Sequence, residues 1–121
     1  MTEKRIILEM GTGNDLYGQD YTKAAKRAVQ DALHHSSITL FAKLGIDHTE
    51  MRVDVTIGVQ EPDRVDCAAV AADLPRGRAT VRAVKGGLDV SDGPDSKHVV
   101  ATAAIEAWLP DQAKNYRLTE R

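Results

Sequence analysis

Residues 97–109 carry apolar side chains on both faces of what their alternation predicts to be a β-strand. These side chains fall into two sets, with Val99, Ala101, Ala103, Ile105 and Ala107 on one face and Val100, Ala104 and Trp108 on the other. A strand that buries only one face alternates apolar with polar residues, so this strand needs cover on both sides. The sequence therefore predicts a sheet whose second face is also buried.

The preceding part of the chain alternates between predicted strands and helices. Residues 4–10 predict a first strand, and the glycine-rich residues 11–18 predict the turn that follows it. Apolar residues then recur at helical spacing over 21–33, with Asp20 placed to cap this helix. Strict alternation of apolar and polar residues predicts a second strand over 51–59.

The second half of the chain predicts one more helix and two more strands. Pro62 suits the first position of a helix whose weak apolar stripe ends at Ala72. Strands are expected over 78–85 and 97–109, and this final pair can form a hairpin across the loop 86–94.

These elements follow one another in the order β-α-β-α-β-β within a single domain spanning 1–121. A further short helical piece is expected over 38–44, and about 110–121 form a polar tail. Strand-helix-strand alternation implies crossover connections that place the helices on one sheet. We expect a two-layer α/β (α+β) sandwich, with helices on one face of a mixed sheet and the other face buried in an oligomer.

A second copy of the chain is the economical cover for that other face. Of 121 residues, only 4% are aromatic, and the apolar content is mostly Ala and Val. Such residues form thin layers with modest burial, which a neighbouring subunit can complete. The predicted assembly is a closed cyclic homo-oligomer, specifically a trimer.

Composition excludes several classes of partner. A formal net charge of -2 argues against nucleic-acid binding, which needs a basic surface. No apolar run has the length of a signal peptide core or a membrane span, so no membrane partner is expected. The single cysteine, Cys67, rules out an internal disulfide, suits a reducing compartment, and reads as a buried core thiol. The expected localisation is cytoplasmic.

Residues 11–18, GTGNDLYG, resemble the G-x-G-x-D-x-H-G signature of a small uncharacterised family found in bacteria and, within longer chains, in plants. The resemblance extends to residues 35–37, 57–59 and 86–88. Tyr17 stands where the family has histidine, and tyrosine cannot act as a general base near neutral pH. The resemblance implies a site at this segment without implying a reaction.

The order of elements is also similar to that of trimeric bacterial chorismate mutase and of the enamine/imine deaminases. The ring-opening amidohydrolases, such as cyanuric acid hydrolase, are built from three domains of similar plan. In these families the implied active sites lie in clefts between neighbouring units. Fold does not determine function, and no catalytic residue is transferred from them.

The glycine-rich segment is the leading candidate site. A glycine turn before a helix offers free backbone amides to an anion, although a tight structural turn explains the same residues. The dinucleotide and P-loop fingerprints both fail here. Asp15 and Tyr17 are the candidate catalytic residues, as proton carrier and hydrogen-bond donor, and the candidate ligand-binding residues in this segment are Gly11, Gly13 and Gly18.

Other candidate residues lie outside that segment. Lys85 and Gly86 end a predicted strand, where a lysine can meet a carboxylate or simply face solvent. His35 and Ser36 are further ligand-binding candidates, although a helix C-terminus, which favours partly cationic side chains, is the preferred explanation of the histidine. The histidines lack metal-ligand spacing, so neither a metal nor a cofactor is expected.

Two functions stay open at this point. The chain binds a small anionic or polar metabolite at a subunit boundary, and whether it also catalyses a reaction is undecided. The alternative is a non-catalytic interaction or sensor subunit whose apolar sheet face docks another protein.

Overall fold

A computed structural model describes residues 3–34, 51–74 and 78–110. Its elements, in chain order, are β1 (Glu3–Asp15), α1 (Tyr21–His34), β2 (Arg52–Val59), a 3-10 turn (Pro62–Arg64), α2 (Cys67–Ala72), β3 (Arg78–Lys85), β4 (Leu88–Ser91) and β5 (Lys97–Pro110). The predicted class is confirmed, because both helices pack on a mixed five-stranded sheet. The expected helical piece at 38–44, the candidates His35 and Ser36, and the tail lie outside the described residues.

The strands are arranged in the order β1-β5-β2-β3, and β4 also pairs with β5. β5 runs antiparallel to both β1 and β2, whereas β2 and β3 are parallel and joined through α2. The predicted hairpin between β3 and β5 is wrong, since β2 lies between them. The segment expected to be a loop contains β4, which forms the hairpin with β5 instead. β5 therefore lies inside the sheet, between β1 and β2.

The predicted turn at Gly11 is also wrong, because β1 continues to Asp15. Gly11 and Gly13 alternate with exposed residues and face α1. A Cβ on Gly13 would lie 2.2 Å from the backbone nitrogen of Ala28, and one on Gly11 would lie 2.5 Å from the Ala28 carbonyl oxygen. The glycines therefore allow strand and helix to approach each other, with no reversal of the chain.

The core fills the space between the sheet and the helices. Small residues of α1 (Ala24, Ala25, Ala28 and Ala32) meet branched residues of the two central strands (Val53, Val55, Ile57, Val99 and Ile105). Asp20 caps α1 as predicted, accepting a hydrogen bond of 3.0 Å from the Lys23 amide. Cys67 is half-buried at the start of α2, so the expectation of a buried core thiol is wrong. Among the described residues, no helix is long and apolar enough to cross a membrane.

The face of the sheet opposite the helices is called the open face here. Register assigns to it the residues Leu8, Met10 and Thr12 of β1, Arg52, Asp54, Thr56 and Gly58 of β2, Arg82 and Val84 of β3, Leu88 and Val90 of β4, and Val100, Thr102, Ala104, Glu106 and Trp108 of β5. At one end its charges pair with one another, for example Arg5 with Glu106 at 3.1 Å. Toward the other end the side chains are small or apolar.

Side chains of α1 bind two backbone groups near the C-terminal end of the free edge of β1. Asp31 accepts a hydrogen bond of 2.9 Å from the Thr12 amide, and Arg27 donates to the Asn14 carbonyl oxygen. Nearer its start, β1 has a register irregularity between Arg5 and Ile7. These features hinder the pairing of a further strand at this part of the edge.

Candidate functional site

The structure gives the predicted catalytic pair two different environments. Asp15 is buried, with 4% of its surface exposed, and its Oδ2 accepts a hydrogen bond of 2.8 Å from the Asp20 amide. Tyr17 is 85% exposed and meets the His98 ring edge-on, with centroids 6.1 Å apart. Asp15 therefore braces the loop before α1, where Gly18 also lies: a Cβ on Gly18 would be 2.7 Å from Asp15 Oδ2.

The helix N-terminus is poorly suited to the anion that the sequence suggested. Carboxylates of the chain itself occupy two of the amides in question, since Asp15 accepts from Asp20 and Asp20 accepts from Lys23. A bound anion would compete with these bonds and meet two negative charges. Gly13 cannot contact an anion either, because the α1 backbone occupies the space where its side chain would lie.

Three of the predicted ligand-binding residues do come together, at a groove on the open face. Gly11 from β1 and Lys85 and Gly86 from the end of β3 line this groove of ≈ 580 Å³. The other lining residues are Met10, Thr12, Asp31, Thr56, Gly58, Val84, Thr102, Ala103 and Ala104. The groove combines an apolar surface with threonine side chains and a lysine.

Small residues of the central strands create this groove. Gly58 and Thr102 are direct partners in the β2–β5 pairing, and a Cβ on Gly86 would lie 3.2 Å from the Gly58 Cα. Gln60 holds the segment after β3 by donating to the carbonyl oxygens of Gly86 and Gly87 at 3.0 and 3.2 Å. The small residues and the close packing of the strands thus leave a depression in the sheet surface between the side chains of Met10 and Val84.

The lining of the groove includes one basic and one acidic residue, Lys85 and Asp31. Lys85 is exposed at the end of β3, where its register with Val59 turns the side chain toward the helix side, so its ammonium reaches the groove around the end of the strand. The Asp31 carboxylate accepts a hydrogen bond from the Thr12 amide. An ammonium on a flexible stem attracts carboxylate or phosphate oxygens as a point charge. Threonine hydroxyls can donate or accept, so Thr56 and Thr102 can hydrogen-bond a polar ligand.

A second cluster lies at the end of the sheet where β5 begins, and no sequence motif predicted it. We call Tyr21, Glu61, Asp89 and Lys97 the Tyr21 cluster. The buried Tyr21 hydroxyl lies 2.6 Å from both Glu61 Oε2 and Asp89 Oδ2. Lys97 Nζ bridges the same two oxygens, at 2.8 and 3.1 Å. Arg64 lies over the tyrosine ring, 4.9 Å from its centroid.

These contacts shift the protonation equilibria of the cluster. Burial, together with hydrogen bonds to Asp89 and Glu61, raises the pKa of Tyr21 to about 12. Hydrogen bonds from Lys97 and Tyr21 lower the pKa of Glu61 to about 2. The pKa of Lys97 rises, chiefly through its bond to Glu61. Near neutral pH, Tyr21 is therefore a hydrogen-bond donor, Glu61 an anion and Lys97 a cation.

Local sequence patterns do not predict the Tyr21 cluster, because its members come from four separate segments. Tyr21 was counted as the first apolar position of α1, and Asp89 was placed in a loop. An alternation signal could have found Asp89, since it is the inward-facing position between Leu88 and Val90 in β4.

The histidines and carboxylates of the described residues form no metal centre. Within residues 3–34, 51–74 and 78–110, no group of three His, Cys, Asp or Glu side chains is placed to hold a metal ion. His98 Nδ1 donates a hydrogen bond of 2.6 Å to the Leu16 carbonyl oxygen, and Nε2 lies 3.4 Å from the Asp92 carboxylate. Since a carbonyl can only accept, Nδ1 of His98 carries the proton in this contact. His98 therefore ties the loop after β1 to the β4–β5 hairpin.

Comparison with known proteins assigns the chain to a family. Residues 5–107 match the model of a family of conserved hypothetical proteins, Lin0512_fam, and the chain belongs to that family. The resemblance to a small uncharacterised family is thereby confirmed.

Among solved structures, an FtsZ-like protein of unknown function from Nostoc punctiforme is similar throughout. It is 33% identical, with a TM-score of 0.79, and the alignment covers 92% of this chain and 99% of that one. No curated protein matches the chain.

Proposed function

We propose that this protein binds a small anionic metabolite in the open-face groove, and that a second copy of the chain completes the site. The observation that carries the proposal is the convergence of Gly11, Lys85 and Gly86 on one groove of ≈ 580 Å³. This volume falls within the roughly 300–1,000 Å³ typical of small-molecule sites. Whether a reaction follows binding is a separate question, because neither Asp15 nor Tyr17 lines the groove.

The ligand class follows from the groove's side chains. Lys85, whose flexible side chain can reach the groove around the end of β3, supplies a positive charge. Thr56 and Thr102 supply hydroxyls, and Met10 and Val84 supply apolar walls. A small carboxylate with an apolar body matches all three features. Cyclic amides lack the negative charge but can form hydrogen bonds with the threonine hydroxyls, so they serve as neutral comparison ligands.

Exposed apolar side chains on the open face support the binding of a second copy. Leu8, Met10, Val84, Leu88 and Val90 are between 42% and 68% exposed. The face measures roughly 20 by 30 Å from strand spacing and rise, or about 600 Å² of projected area. Stable interfaces bury about 800 Å² per partner, so one subunit presents a face of suitable size.

Charge also supports association through this face. At its charged end, Arg52 contacts both Glu3 and Asp54, and Arg5 contacts Glu106. These charges satisfy one another within the chain and leave no strong field of one sign to repel an identical face. A copy of the chain is therefore an acceptable neighbour, and it would close the groove from above.

Ligand binding is tested by titrating the protein with small carboxylates and monitoring its thermal transition. We expect saturable stabilisation by at least one carboxylate, and a loss of about tenfold in affinity for Lys85→Met. Lys23→Met removes an equal charge from the exposed surface of α1 and should change affinity less than twofold. Equal losses in the two variants, or no stabilisation by any carboxylate, would overturn the proposed ligand class.

Association is tested by light scattering after size-exclusion chromatography. We expect an oligomer whose mass is a multiple of the 13.2 kDa chain, a trimer being the specific expectation. Met10→Lys places a charge on the open face and should dissociate it, whereas Gln30→Lys, on the exposed side of α1, should not. A wild-type monomer would favour the alternative function, in which the open face docks a different protein.

A further inference from the structure

We propose that the Tyr21 cluster forms the inner wall of a second binding site, which takes a small protonated amine. The site is a polar pocket of ≈ 350 Å³ beside the cluster, at the β4–β5 hairpin. Its lining residues are Gln19, Asp89, Ser91, Gly93, Pro94, Asp95, Ser96 and Lys97. The open-face groove shares none of these residues.

Electrostatics of the lining favour a cation. Asp89 and Asp95 contribute two carboxylates, and the lysine of the lining, Lys97, already contacts Asp89 and Glu61. Serine hydroxyls at positions 91 and 96 add oxygen atoms that can accept hydrogen bonds. An ammonium group carries donors and no acceptor, so it complements such a lining.

One buried carboxylate oxygen of the Tyr21 cluster lacks a hydrogen-bond donor. The Tyr21 hydroxyl has one proton, yet two carboxylate oxygens lie 2.6 Å from it. The second oxygen of Asp89, Oδ1, is buried, and no described residue donates to it. An unsatisfied buried acceptor costs about 1–3 kcal/mol. When the Asp89 carboxylate rotates so that Oδ1 faces the pocket, a bound ammonium can donate the hydrogen bond that this oxygen lacks.

Lys97 shows within the chain how an ammonium is held at this place. Its Nζ contacts Glu61 and Asp89 and lies 5.3 Å from the centroid of the Tyr21 ring. Carboxylates and an aromatic face are the two kinds of group that attract an ammonium. The pocket extends this arrangement toward solvent, with Asp95 in place of Glu61.

Two segments of the chain line this pocket: the loop before α1 and the β4–β5 hairpin. Gln19 adopts a left-handed backbone conformation, with φ of 50°, and its side chain donates to the Asp95 carbonyl oxygen at 3.3 Å. The loop before α1 and the β4–β5 hairpin thus form two walls of the pocket, and this hydrogen bond joins them. Because ≈ 350 Å³ is near the lower end of known ligand sites, the amine must be small.

The experiment is a titration with ethanolamine at constant ionic strength, followed by backbone amide chemical shifts. Ethylene glycol, which replaces the ammonium by a hydroxyl, serves as the matched neutral probe. We expect saturable shifts centred on residues 91–97 with ethanolamine and none with ethylene glycol. Equal responses to both probes, or no saturable shift in this segment, would overturn the proposal.

Variants within one hairpin separate a specific site from general attraction. Asp95→Asn removes a lining carboxylate and should weaken binding about fivefold or more, whereas Asp92→Asn, whose carboxylate lies outside the lining, should change it less than twofold. Equal effects of these two variants would contradict the proposal. Lys85→Met, in the open-face groove, should leave ethanolamine binding intact. The amine site is therefore tested independently of the proposed function.

Discussion

The two faces of the sheet are built on different principles. On the helix side, Gly11 and Gly13 lie so close to α1 that a single added Cβ would collide with its backbone. On the open face, neighbouring side chains such as Leu8 and Met10 remain about half or more exposed, and no described element covers them. The first face is fixed by internal packing, whereas the second leaves its side chains available to partners and ligands.

The sharpest test of this contrast is a pair of neighbouring substitutions in β1. Gly13→Ala puts a Cβ 2.2 Å from the Ala28 nitrogen and should lower the free energy of unfolding by about 3 kcal/mol or more, since overpacking costs at least 1–3 kcal/mol. Asn14→Ala, on the other face, should change it by less than about 0.5 kcal/mol. Urea unfolding measures both. Similar values for the two would mean that the faces do not differ in packing.

A smaller effect is expected at the polar end of the helix layer. Tyr21→Phe removes the only hydroxyl between Glu61 and Asp89, and it should lower the free energy of unfolding by about 1–3 kcal/mol. The exposed Tyr17→Phe is the control, with a change below about 0.5 kcal/mol. Tyr21→Phe should also remove the absorbance change of a tyrosine ionising at about pH 12. Retention of that change would exclude Tyr21 as its source.

Acid should weaken the same cluster. The pKa of Glu61 falls from 4.5 to about 2 in the folded chain, so its ionised form is stabilised by folding. This contribution is complete above pH 4.5 and is lost as the pH falls toward 2. Glu61 is half-exposed, so solvent reduces the effect. Urea unfolding of Glu61→Gln between these pH values should show a shallower decline than the wild type; an unchanged slope would contradict the assignment.

The smallest effect is expected among the ion pairs of the open face. Arg5 and Glu106 are 47% and 26% exposed, so their coupling should not exceed about 1 kcal/mol. A double-mutant cycle with alanine at both positions measures it, with the oligomeric state held constant. A coupling of several kcal/mol would mean that this end of the face is shielded from solvent by a partner.

The elements with strong periodicity could be predicted from the sequence. The helical stripe from residue 21, the alternation of β2 and the doubly apolar β5 each depend on neighbours along the chain, and all three are confirmed. Gly11 and Gly13 were misread because glycine marks both turns and close packing, and nothing in their neighbourhood separates the two. Only the position of Ala28 on a distant helix decides between them.

Strand pairing and the polar clusters were harder to predict, for a related reason. The sequence places β3 and β5 next to each other along the chain, but β2 takes the position between them in the sheet. Lys85 could be singled out beside its glycines, whereas Tyr21 and Lys97 are 76 positions apart and meet only in the folded chain. Proximity of this kind depends on topology, which local patterns do not encode.

The covered edge of β1 has a consequence for the behaviour of the protein at high concentration. Exposed strand edges act as templates on which further chains add, and such growth has no natural end. Asp31 and Arg27 occupy backbone groups at this edge, so they act as gatekeepers against fibrillar addition. At this edge of the sheet, the two contacts therefore oppose open-ended growth of a chain that exposes much apolar surface on one face.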